Sequence, residues 1–127
     1  MSDEFEQDKE NLGLALARVY RLIAKVVSKL PIPIALPGGP VYDSTEIVPA
    51  TIRVTEIIEE QPIPQDLQVL IWGGCLHWIA AAHLFDRWLK TQEHVTTLEV
   101  QINLVAAGDA IIDAAAELML MIDELDE

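Results

Sequence analysis

LPIPIALPGGPVYDSTEIVPATIRVTEIIEEQPIP, residues 30–64, holds all seven prolines of the chain. Proline lacks an amide donor and has a fixed φ, so it is excluded from helix interiors and central strands. On either side of this stretch the sequence reads as long apolar helix. The chain therefore divides into an acidic N-terminal tail over 1–11, a helix over 12–30, an extended arm over 31–65 and a helical hairpin over 66–127. An arm of that length is too long for a plain connector in a single domain of 127 residues. Such segments are functional or disordered, and the Ile and Val content of this one argues against disorder.

Within the arm, Pro37-Gly38-Gly39-Pro40 is a tight turn. No Gly-Lys-Ser/Thr follows it, so it is not a phosphate cradle. Thr51-Ile52-Arg53-Val54-Thr55 alternates and is β-branched, which predicts a strand that Ile57-Ile58 extends. Val41-Tyr42 and Ile47-Val48 are candidates to pair with it as a hairpin. A two-stranded ribbon is marginal alone in water. It must lie on the helices or be completed by another copy, as exposed strand edges invite. Val41, Tyr42, Ile52, Val54 and Ile57 are therefore candidate assembly contacts.

The first helix carries Leu12, Leu16, Val19, Ile23, Val26 and Leu30 at spacings of four and three, one apolar stripe on one face. Arg18, Arg21, Lys25 and Lys29 make an opposite, basic stripe, either a solvated face or a docking surface for an acidic partner. Pro31 ends this helix, because the residue before a proline avoids the α region. The second helix, over 66–91, starts at Asp66 after Pro64. One of its faces collects Leu67, Leu70, Ile71, Gly74, Trp78, Ala81, Phe85, Trp88 and Leu89. The opposite face collects Val69, Trp72, Leu76 and Ile79, so the helix asks to be covered on both sides. These four extend the set of candidate assembly contacts. Gly73-Gly74 in mid-helix costs roughly 1 kcal/mol per glycine against alanine, which points to a close backbone approach. Residues 67–85 are nearly uncharged but fall short of the roughly 20 residues that span a bilayer. They also contain Gln68, His77 and His83, so no membrane role is expected.

The third helix, over about 97–125, keeps a 4-3-4-3 seam through Val100, Leu104, Ala107, Ile111, Ala114, Leu118, Met121 and Leu125. Ile102, Val105, Ile112, Met119 and Leu120 form a second apolar flank. Asp109, Asp113 and Glu117 recur every fourth residue, like charges that repel along one line. That acidic line is solvated, meets the basic stripe of the first helix, or borders an aqueous lumen. The terminal Asp-Glu-Leu-Asp-Glu opposes the helix dipole, so the tail is expected to fray.

Composition narrows the function. Eight basic against twenty-one acidic residues give a net charge of −13, which opposes binding to phosphate backbones. No basic patch interleaved with aromatics offers sequence-specific nucleic-acid readout. A hydrophobic content of 51% exceeds what one small domain buries. The single cysteine, Cys75, permits no internal disulfide and suits a reducing compartment or a context indifferent to redox. The acidic N-terminus, MSDEFEQDKE, lacks the basic and apolar regions of a signal peptide.

Chemistry finds little foothold. Cys75, His77 and His83 share one helix, but their spacing gathers no three ligands on one face, and zinc needs three or four. Cys75 and His77 lie about 200° apart around the helix axis, which disfavours a nucleophilic pair. Ser2, Ser28 and Ser44 occupy no nucleophile elbow. No catalytic residue, cofactor or metal is expected, and the chain does not read as an enzyme.

The run Pro62-Ile63-Pro64-Gln65-Asp66-Leu67, followed by the apolar helix closing Ala80-Ala81-Ala82-His83-Leu84-Phe85-Asp86-Arg87-Trp88, resembles the central helix of small head–tail connector (adaptor or neck) proteins of tailed phages. The order helix, β-bearing arm, helix, helix is similar too, over roughly residues 40–125. The resemblance implies a virion protein, assembled in the host cytoplasm, that forms homo-oligomeric rings, often dodecameric. Such rings join portal to tail or neck proteins, line the DNA conduit and have no catalytic residues. An acidic lumen would let the duplex slide. The competing reading is an acidic helical dimer that regulates a basic partner protein. The expected fold class is mainly α: a three-helix bundle with a long Pro-rich extended arm carrying a short β-hairpin between the first two helices.

Overall fold

The computed structural model describes residues 2–38 and 44–126. Four helices form: α1 (Ser2–Val27), α2 (Ser44–Ile57), α3 (Gln65–Thr91) and α4 (His94–Asp126), with a 3-10 turn at Ile58–Glu60 after α2. The mainly α expectation holds, but the described residues contain four helices and no strand. The extra helix comes from the arm. Val41 and Tyr42, expected to share a hairpin, lie outside the described residues.

The strand expected over 51–55 is helix. Ile47, Thr51, Val54 and Ile58 are buried at 4-3-4 spacing, with Val48 beside them, so one face of α2 meets α3. Burial of that face outweighs the β preference of Ile, Val and Thr, which is a preference for a half-buried pleated surface rather than a backbone command. Pro49 removes one amide donor inside the helix. The Thr51 hydroxyl donates to Ile47 C=O at 2.8 Å, so a buried polar atom is satisfied within the same turn. Val54, expected at a contact between copies, belongs to this chain's own core, and Ile52 and Ile57 are half-buried on α2.

Four boundaries also differ from expectation. α1 begins at Ser2 rather than residue 12, and its first turn carries Asp3 and Glu4, which the positive end of the helix dipole favours. Phe5 anchors that extension against Trp88, ring centroids 4.9 Å apart. α4 starts at His94, earlier than the 97 expected, and the tail expected to fray continues as helix to Asp126. α1 ends at Val27, ahead of Pro31.

α3 contacts each of the other three helices. Its inner face, Leu67, Ile71, Trp78, Ala81, Phe85 and Trp88, is buried as the sequence pattern predicts. The α4 seam from Val100 to Leu118 is buried against it, with Met121 half-buried. A turn of two residues, Gln92 and Glu93, joins these helices. Gln92 adopts φ 56° and its amide donates to Trp88 C=O at 2.7 Å, a left-handed cap that closes α3. By length and composition α3 is the one described helix that could cross a membrane; in this fold its apolar inner face is the core.

The segment after α1 is held by side chains. The Tyr20 hydroxyl donates to Pro37 C=O, and its ring packs 5.6 Å from Trp78. Burial, then the Glu46 carboxylate, raises the Tyr20 phenol above its ordinary value. Gln61 acts as a clamp. Its Nε2 donates to Ile32 C=O at 2.6 Å while its Oε1 accepts from Ile32 N–H at 3.1 Å, imitating one rung of a sheet. Gln61→Glu would keep the acceptor and lose the donor, setting a carboxylate against a carbonyl oxygen. The folded state then raises that carboxyl's pKa. The variant should lose about 1–2 kcal/mol at neutral pH. It should regain stability, relative to the unmodified chain, as pH falls through the carboxyl range and the protonated acid donates again. Denaturant unfolding at a series of pH values measures this, and a pH-independent deficit would remove the clamp from the account.

Candidate assembly surface

The sequence expects assembly contacts on the second face of α3, and the structure leaves part of that face open. Val69, Trp72 and Leu76 are exposed by 53%, 46% and 43%, whereas Ile79 is half-buried against the core. Two open hollows flank Val69. One, of about 410 Å³, is lined by Ile58, Glu59, Gln65, Gln68, Val69 and Trp72. The other, of about 480 Å³, is lined by Gln65, Asp66, Val69, Leu70 and Glu117. This apolar patch therefore has an acidic border drawn from the 3-10 turn, from α3 and from α4.

α4 is apolar on its outer side as well. Ile102, Val105, Ile112, Met119 and Leu120 are each more than half exposed. So is Val95, and Leu98 is nearly half exposed, both nearer the α3–α4 turn. Large exposed apolar patches on a soluble fold mark interaction sites. The acidic line on α4 is open at Asp109 and Asp113 and half-buried at Glu117.

A third surface has no counterpart in the sequence reading. α1 and α4 leave a trough of about 190 Å³ between them. Leu22, Val26, Ile111, Ala115, Leu118 and Ile122 form its apolar floor, Ile112 and Met119 one margin, and Lys25 and Lys29 the other. The basic stripe of α1 thus borders an apolar trough on one flank of α4, while Glu117 borders the hollow on the other flank. Among the described residues no ion pair joins Arg18, Arg21, Lys25 or Lys29 to Asp109, Asp113 or Glu117. Within one chain the two charge lines do not meet.

The residues weighed for chemistry are dispersed. Cys75 is fully buried, and burial pushes its thiol up to about 12, far from a thiolate nucleophile. His77 is exposed, with Nδ1 3.1 Å from Asn103 Oδ1 on α4, and His83 is exposed on α3. Among the described residues no three His, Cys, Asp or Glu side chains converge on a point that a metal ion could share.

Comparison with protein-family models, with curated proteins and with solved structures finds no match for this chain.

Proposed function

We propose that this chain is a structural subunit that works by self-assembly, and in particular a ring-forming head–tail connector of a tailed phage, linking portal to tail and bordering the DNA conduit. One observation carries the self-assembly reading: α3 exposes Trp72 with Val69 and Leu76, and α4 exposes Ile102 and Val105, while the inner faces of both helices already fill the core. Among the described residues no other helix covers that surface. The connector reading adds the lead-in Pro62 to Leu67, the Ala-rich α3 behind it, and an acidic excess suited to a conduit that does not hold DNA. The helical state of 44–57 removes the β-bearing arm from that resemblance, so the particular form rests on α3 and on charge.

The mass of the purified chain in solution tests the proposal. A discrete species well above a dimer is expected, alone or on addition of portal protein. A dimer would favour the acidic regulator of a basic partner, and a monomer at every concentration would end both. Trp72→Ala should leave the helical content and unfolding midpoint of the isolated subunit close to unchanged and shift assembly to higher concentration. The indole is half exposed, so its removal opens no core cavity, whereas tryptophan is prominent among residues that anchor interfaces.

A further inference from the structure

The charge and shape of two separate surfaces point to how copies join, an inference that rests on the self-assembly reading above. The α1–α4 trough is apolar with a cationic margin at Lys25 and Lys29. The outer α3 patch is apolar with an anionic border at Glu59, Asp66 and Glu117. We propose that the two are the halves of one head-to-tail contact. Trp72 of one copy enters the α1–α4 trough of the next, and its acidic border faces Lys25 and Lys29.

Size agrees with this assignment. A cavity of about 150 Å³ suffices for a benzene ring, so a trough of about 190 Å³ seats an indole. Charge agrees as well. Lys25, Lys29, Glu59 and Asp66 are all exposed, and Asp66 keeps one carboxylate oxygen clear of the Oδ1 that accepts from Leu67 N–H. Position completes the argument. Ile111 to Ile122 line the trough on one flank of α4, and Glu117 lines the acidic hollow on the other flank, so donor and acceptor surfaces stand at the same level of the same helix. Copies joined through them stack side by side with little rise along α4. A contact between two different patches propagates, and with little rise it makes a ring when the rotation between successive copies closes and a filament when it does not. It also brings Glu117 of the acidic line to Lys25 and Lys29 of the basic stripe, groups that do not meet within one chain.

Charge reversal and directed cross-linking test it on the full chain. Lys25→Glu with Lys29→Glu should raise the concentration needed for assembly at least tenfold, and Glu59→Lys with Glu117→Lys should do the same. An equimolar mixture of the two variants should recover oligomers larger than a dimer, because each trough then faces a border of opposite sign. Loss in both variants without recovery in the mixture would overturn the pairing, as would normal assembly by either variant. The second arm does not depend on those variants folding. Val69→Cys with Met119→Cys in one chain should give a ladder of covalent oligomers on oxidation, with each single substitution giving none. Cys75 is buried and stays out of the reaction. Cross-linking that stops at dimers would make the contact two-fold and overturn the head-to-tail arrangement. Large oligomers without the ladder would overturn this contact and leave self-assembly standing, whereas an unmodified chain that stays monomeric would remove both.

Discussion

Trp78→Ala should cost about 3–5 kcal/mol of folding stability, the range found when a large aromatic is truncated inside a core. Trp78 has no exposed surface, its ring packs against Tyr20, and its Nε1–H donates to Leu16 C=O at 2.9 Å. The substitution therefore opens a cavity where α1 meets α3 and also removes the indole N–H that reaches Leu16. Truncation leaves the Leu16 carbonyl with its bond to the indole unmade, which adds to the cavity cost. Trp78→Phe restores most of the volume without the donor, so it should recover the larger part of the loss. Equilibrium denaturation of all three proteins reads both contributions. Equal losses for Ala and Phe would mean that the hydrogen bond, and not packing, holds α1 in place.

Neighbouring glycines should respond with opposite signs. A Cβ on Gly74 would come within 2.5 Å of Ile111 Cδ1 and 2.7 Å of Cγ1, with Ala107 O at 3.4 Å. Ile111 is itself buried and cannot swing away freely. Gly74→Ala should therefore lose about 1–3 kcal/mol by overpacking at the α3–α4 crossing, reduced by the roughly 1 kcal/mol that alanine gains in helix propensity. A Cβ on Gly73 would meet nothing within 4 Å. Gly73→Ala should collect the propensity gain alone and stabilise the subunit by about 1 kcal/mol. Thermal unfolding of the pair decides the matter. Two stabilised variants would mean that α3 and α4 stand further apart than described.

The sequence shows these glycines only as a pair in mid-helix. It marks a close approach, but the choice between them needs the register of α4, which no local signal carries. The two-faced reading of α3 was legible because 3.6-residue periodicity separates Trp78 and Phe85 from Val69, Trp72 and Leu76 without help from neighbours. The α4 seam was legible for the same reason. α2 was not. The spacing of Ile47, Thr51, Val54 and Ile58 carries a helical signal, but the local alternation and β-branching around Thr51 suggest a strand, and Pro49 argues against helix. The decision is made by docking on α3, a contact distant in sequence. The start of α1 was hidden for a related reason: its acidic first turns carry no apolar stripe, and the one anchor, Phe5, finds its partner at Trp88. The α1–α4 trough was illegible altogether, because its two walls come from opposite ends of the chain.

The central place of α3 also sets an order of events at the ribosome. α3 and α4 are neighbours joined by two residues, so they close a hairpin at small entropic cost, whereas α1 and α2 bury their apolar faces on helices made later. Leu16, Ile23 and Val27 leave the exit tunnel with nothing to cover them, and so do Ile47 and Val54. They remain uncovered until α3 emerges, the interval in which hydrophobic stretches of nascent chains stick to one another or to chaperones. The half of the chain synthesised first is the half that waits longest to fold.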